Sequence, residues 1–274
     1  MKYIKMLFGL QLFCVSSLLF CNINQRLENI KIYEYSKNTR RWGIGNYNIS
    51  SNGELNVMKA IIKPRDILFD VGANKGDWSK NAFYICSDVK IYAFEPIPMV
   101  FEKLNRNIIN ENFFAYDLAL SDYVGKCKFY HCLGNRGSYE FSRLSSFYNR
   151  ECYSEILKES PAEIDVKVST IDFFCKLHDV NHIDLLKIDT EGAELKVLMG
   201  AQELISQQKI GYIQFEYGGC YKDSDTTLHE VYNLLAKHGY SIFRIASQGL
   251  IRIDKWLDEL EDFEYSNYLA ITEK

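Results

Sequence analysis

Two apolar runs that end in carboxylates carry the first legible chemistry. The run through Ile67-Leu68-Phe69 ends at Asp70, and a turn with Gly72, Asn74 and Gly76 follows before residues that can open a helix. Glycine takes positive φ and has no Cβ, so a ligand can approach the backbone at Gly72. Free amides at the start of the next helix would face that ligand. The second run, Lys90-Ile91-Tyr92-Ala93-Phe94, ends in Glu95, about 23 residues beyond Gly72, the chain length that one helical crossover to a parallel neighbour takes. A carboxylate there can accept hydrogen bonds from both hydroxyls of a ribose. The plainer readings are an ordinary strand-turn-helix corner and an exposed loop acid.

A second dense block is His182-Ile183-Asp184-Leu185-Leu186-Lys187-Ile188-Asp189-Thr190-Glu191-Gly192-Ala193-Glu194. An apolar strand ends at Asp189, facing the same crevice as the first, and a helix follows with Glu191 and Glu194 at its start. Acids suit a helix N-terminus electrostatically, which is the plain reading of Glu194. Asp189, Lys187, Glu191 and Glu194 are the candidates for positioning an acceptor or removing its proton. Asp117 ends a third strand, where it could meet an adenine amino group or simply cap a turn. Glu216 ends a fifth. A metal bridging Asp189, Glu191 and Glu216 can be drawn, but carboxylates alone select no ion and none is assigned. The five histidines show no metal-ligand spacing.

These tips need a sheet to align them. The expected strands are 66–70, 90–94, 112–116, the run ending at Asp189, and 210–215, with helices between them. Tyr240–Ala246 and Tyr265–Ile271 follow with no helical crossover between them, so they pair antiparallel. The pattern predicts an α/β fold: a doubly wound, Rossmann-like, seven-stranded and mostly parallel sheet in the order 3-2-1-4-5-7-6, with an antiparallel last strand. The domain spans 61–274. Residues 124–168 fit βα alternation poorly and read as an insertion able to cover a site, with Ser145, Ser146 and Arg150 as polar candidates. Residues 22–60 read as a linker and lid-forming prelude.

The whole chain has 274 residues, 47% hydrophobic and 25% charged, and a formal net charge of −4. It is long enough for one sizeable core, and nothing in its overall charge marks it for nucleic acid. Its eight cysteines form no Cys-x-x-Cys and are expected as reduced thiols. Lys2 and Lys5 precede the apolar run Met6–Cys21, shorter than the roughly 20 residues of a membrane span. Residues 1–21 therefore read as signal-like or anchor-like, with membrane association through 6–21 or packing on the domain as the two outcomes. The expected setting is a cytoplasmic catalytic domain, membrane-associated or targeted by that segment; cleavage and export of the product would contradict it.

The sequence resembles the FkbM family of methyltransferases. The matching segments are Phe69-Asp70-Val71-Gly72-Ala73-Asn74 with Gly76, Ala93-Phe94-Glu95-Pro96, Ala119-Leu120-Ser121-Asp122, Thr170-Ile171-Asp172, and Asp184 to Asp189 with Glu191-Gly192-Ala193-Glu194. They fall in order across about residues 64–217; together they are specific and singly they are not. The resemblance implies S-adenosylmethionine as cofactor and O-methylation of a hydroxyl on a sugar, glycan or small natural product. It implies that Asp70, Gly72, Asn74 and Gly76 form the cofactor corner, that Glu95 holds the ribose, and that Asp117 and Leu118 border the adenine. Two other functions compete. A nicotinamide-dependent oxidoreductase would carry Gly-x-Gly-x-x-Gly, whereas Gly72 and Gly76 here enclose Ala73-Asn74-Lys75. A non-catalytic cofactor-binding or interaction protein could share the scaffold, because fold does not fix function.

Overall fold

The computed structural model describes residues 25–132, 142, 145–148 and 161–272. The segment 1–21, with its apolar run, Arg150 and most of the 133–160 stretch lie outside the described residues.

The chain opens with a 3-10 turn at Gln25–Leu27 and a short strand β1 (Ile32–Glu34), then helix α1 (Glu54–Ile61). The first βα unit is β2 (Ile67–Val71) and α2 (Asp77–Ile85), the second β3 (Lys90–Phe94) and α3 (Pro98–Asn107), followed by β4 (Phe113–Tyr116). Strands β5 (Ala119–Leu120), β6 (Gly125–His131) and β7 (Ala162–Ser169) come next, then α4 (Ile171–Leu177) and β8 (Ile183–Ile188). Helices α5 (Glu194–Met199) and α6 (Gln202–Ser206) precede β9 (Ile210–Tyr217). The C-terminal part holds α7 (Cys220–Asp223), α8 (Leu228–Lys237), β10 (Tyr240–Ala246), β11 (Gly249–Ile253) and β12 (Ser266–Thr272).

The main sheet has nine strands in the order β1-β11-β10-β12-β9-β8-β2-β3-β4. β2 pairs in parallel with both β3 and β8, and β8 with β9; β12 runs antiparallel to β9 and β10. Central strands covered on both faces read as near-continuous apolar runs, as β2 and β8 do. One face carries α4, α5 and α8, whose Phe174, Val197, Leu198, Val231 and Leu235 pack on Phe69, Leu186, Ile213 and Phe215. The other carries α1 and α2, with Met58, Ile61, Trp78 and Ala82 against Leu68, Leu185 and Tyr212.

The count of seven strands is therefore corrected to nine. The two additions, β11 and β1, extend the edge beyond β10. β11 returns from β10 after only Ser247 and Gln248, without the Asn-Gly or Asp-Gly pair that signals such a hairpin. β1 has three residues and pairs in parallel with β11, too short to show a period of two. The reading of 22–60 as linker and lid prelude is corrected with it: β1 joins the sheet, and Val57, Met58 and Ile61 of α1 are buried. Within the expected insertion, β6 and β7 form an antiparallel pair joined to β5 in a separate small sheet. Its Phe129, Val166 and Val168 pack on Ile97 and Val100 next to β3.

Candidate functional site

The carboxyl ends of β2, β3 and β8 meet at one corner. The amides of Gly72 and Ala73 both donate to the Phe94 carbonyl at the end of β3, and the Asp189 amide donates to the Val71 carbonyl. Gly72 has φ +78°, and a Cβ there would run into the carbonyl oxygen of Asp189. Only glycine lets the three tips close this tightly.

In front of that corner lies a partly open cleft. Gly72, Asn74, Glu95, Leu118, Asp189 and Glu191 line it. Glu95 and Gly72 thus border the same cleft. Glu95 is nearly buried: Oε2 accepts from the Asn74 amide at 3.0 Å and Oε1 from the Ile97 amide at 2.9 Å. Burial pushes its carboxyl up to about 7, against the two amides that favour the ionised form.

Three residues expected at the cofactor are not among those that line the cleft. Asp70 is completely buried beneath the corner, where Oδ2 accepts from Ser79 Oγ at 2.6 Å and ties β2 to α2. Gly76 has φ +84°, and a Cβ there would sit 2.7 Å from side-chain atoms of Leu104 and Ile108; it is a packing glycine against α3. Asp117 lies at the surface, 3.4 Å from Lys167 Nζ. A strand-tip position read from sequence does not say which way the side chain turns.

The acidic block divides in the same way. Lys187 is buried and gives Nζ to Asp189 Oδ2 at 3.0 Å. Burial alone would lower its pKa, but Asp189, Asp70 and Glu54 around it hold it above the usual lysine value. Glu194 is corrected from a candidate acid–base group to a clamp. It is fully buried, and it accepts from the Thr190 amide, the Thr190 hydroxyl and the Gly192 amide at 2.7, 2.9 and 3.0 Å. These bonds hold a turn in which Glu191 has φ +55°. Glu216 is pushed well above its ordinary value by burial and by Asp189, Glu191 and Glu194. Asp189, Glu191 and Glu216 bring carboxylate oxygens within 4.8 Å of one another; acids gather at strand tips without an ion, and no ligand role is assigned to them.

The insertion supplies lining that strand tips alone could not reveal. Phe129, Ser142, Ser145 and Phe147 border the cleft. Ser142 Oγ reaches Asn74 Oδ1 at 3.3 Å, and Ser146 Oγ donates to the Glu191 carbonyl at 2.7 Å. Ser145 and Ser146 were legible as polar candidates of the insertion; Phe129, Ser142 and Phe147 were not. The donor set fits an adenosyl group: Glu95 for ribose hydroxyls, and Phe94, Ile97, Leu118, Leu120 and Phe129 as apolar walls for a flat ring.

Burial of two carboxyls fixes a pH dependence. Glu95 and Glu194 are both raised to about 7 in the fold from 4.5. The folded state then binds protons that the unfolded chain has released, so the stability tied to these groups is full below pH 4.5 and is lost as pH rises through about 7. Thermal melts of the ligand-free protein across about pH 5 to 8 should show Tm falling, and Glu194→Gln should flatten that fall. An unchanged slope would remove Glu194 from this account.

The profile of the methyltransferase FkbM domain matches residues 70–242. The 2-O-methyltransferase NoeI of Sinorhizobium fredii is 22% identical over 58% of this chain and 67% of its own length. The 31-O-demethyl-FK506 methyltransferase FkbM of Streptomyces tacrolimicus is 28% identical over 66% of this chain and 75% of its own. Among solved structures, M. capricolum TrmK, in complex with S-adenosylhomocysteine, superposes with a TM-score of 0.38 at 14% identity, over 81% of this chain and 68% of that one.

Proposed function

This chain belongs to the methyltransferase FkbM family and is an S-adenosylmethionine-dependent methyltransferase, and we propose that it methylates a hydroxyl oxygen of a small molecule, sugar or glycan. The oxygen specificity is carried over from the names of two relatives, a 2-O-methyltransferase and a 31-O-demethyl-FK506 methyltransferase. The observation that carries the reading is that Gly72, Glu95, Asp189 and Glu191 line one cleft.

When bound, S-adenosylmethionine supplies a methyl group on a sulfonium. Glu95 would accept from the ribose hydroxyls, the Gly72 corner would lie against the methionine part, and Leu118 would border the ring. The acceptor oxygen must then line up with the methyl carbon and lose its proton. Asp189 has one oxygen on Lys187, and its other accepts from no described residue. That second oxygen would take the proton of the acceptor hydroxyl. Phe129 and Phe147, which border the cleft, would shield the bound group from water.

Titration calorimetry with S-adenosylhomocysteine and NAD is the first test, with binding of the former alone expected. The second is transfer of a labelled methyl group to a panel of polyols, sugars and hydroxylated macrocycles. Binding NAD alone would overturn the assignment of the cleft. Binding the methyl donor with no transfer to any hydroxyl would leave the binding-protein reading in its place.

A further inference from the structure

On the face of the sheet beneath α1, side chains change character toward the carboxyl ends. Leu68, Leu185 and Tyr212 stand in register across β2, β8 and β9, and all are buried and largely apolar. Two residues further along the same strands, on the same face, the row is Asp70, Lys187 and Gln214. Two further still come Asp189, just past the end of β8, and Glu216, which is the register partner of Asn267 in β12.

Glu54, the first residue of α1, closes over this polar row. It is 6% exposed. Oε2 accepts from Gln214 Nε2 at 2.6 Å, and Oε1 accepts from Asn267 Nδ2 at 3.1 Å and from Asn52 Nδ2. Asn267 Nδ2 also donates to the Tyr265 hydroxyl at 3.0 Å. The start of α1 has no slack: Gly53 has φ +105°, and a Cβ there would strike the Ala246 carbonyl. Gln214 is the register neighbour of the buried Lys187, whose ion pair is with Asp189 at 3.0 Å; the charges of Asp70 and Glu54 act on the same ammonium. Only Asp189 also reaches the cleft.

The geometry points to Glu54 as a positioning residue for methyl transfer: bonded to Gln214, the register neighbour of Lys187, it sets the packing and charge on that side of the ammonium, so that Lys187 stays on one oxygen of Asp189 and leaves the other to the acceptor. Glu54 touches neither acceptor nor cofactor. It lies outside residues 70–242 that the family profile matches, so the segment before the matched domain contributes to the site. The inference rests on the reading of Asp189 as the group that meets the acceptor.

Glu54→Gln in the full chain keeps size and an acceptor oxygen but removes the charge. The expected result is kcat lowered about tenfold or more, because displacing a reacting group by about 1 Å costs up to roughly 100-fold. KM for the acceptor and affinity for S-adenosylhomocysteine should stay within about twofold, since uniform binding is untouched. Glu54→Asp, which restores the charge on a shorter arm, should recover part of kcat. A crystal structure of Glu54→Gln should show Lys187 Nζ out of hydrogen-bond reach of Asp189. An intact Lys187–Asp189 contact in that structure overturns the proposal, and so does a rise in KM at unchanged kcat. If Glu54→Gln does not fold, Gln214→Leu breaks the same link without touching a charge, and the same crystallographic distance decides. That distance is read without an acceptor, so absence of any hydroxyl methylation would count against the O-methyltransferase reading and not against this one.

Discussion

Asp189→Asn is expected to lower the rate of methyl transfer by at least about 100-fold, the lower end of the range for losing a general base, while S-adenosylhomocysteine affinity changes by less than about threefold. The substitution is nearly isosteric. The amide oxygen can still accept from Lys187 Nζ, so the 3.0 Å contact survives. The amide cannot take a proton from a hydroxyl. The loss falls on kcat because the interaction is made only as the acceptor oxygen loses its proton. Loss of the Asp189 charge also leaves Lys187 nearer to net positive, but Asp70 and Glu54 remain in its field and Asp189 is a third exposed, so the fold should persist. Single-turnover transfer of a labelled methyl group, set beside calorimetry with S-adenosylhomocysteine, separates the two quantities. Equal rates for wild type and variant would exclude Asp189 as the proton acceptor and return the choice to Glu191, which lines the same cleft.

The second large effect is at Gly72. Gly72→Ala should abolish measurable cofactor binding and lower Tm by about 10 °C, a few kcal/mol in a domain of this size. Two costs add. A non-glycine residue held at φ +78° carries about 1–3 kcal/mol of strain. The new Cβ also meets the Asp189 carbonyl, and forcing atoms into a packed space costs about 1–3 kcal/mol. Relief would require the ends of β2 and β8 to part, which would break the Asp189-to-Val71 amide bond and open the corner where Glu95 and Asn74 meet. Gly45 separates the two costs. It has φ +73°, but a Cβ there meets nothing within 4 Å, so Gly45→Ala should cost only the strain, about 1 kcal/mol, and leave binding intact. If both variants lose binding equally, or Gly72→Ala binds normally, the close approach of the strand tips is not what forms the corner.

Much of this was written in the chain itself. The apolar runs ending at Asp70, Glu95 and Asp189, with glycines after the first, determined a parallel α/β sheet and the edge where a ligand sits, because strand period and turn chemistry are local. They also determined that Gly72, Asn74, Glu95 and Asp189 share that edge. Only the tertiary structure decided which tip residues turn inward. Asp70 goes beneath the corner to Ser79, Gly76 packs on Leu104 and Ile108, Asp117 faces Lys167 at the surface, and Glu194 spends both oxygens on its own loop. Glu54 could not be found from sequence at all. Its partners Gln214 and Asn267 lie 160 and 213 residues away along the chain. Local pattern fixes where a backbone points, but the partner of a buried charge is whatever the folded chain brings beside it, and no spacing in the sequence encodes that distance.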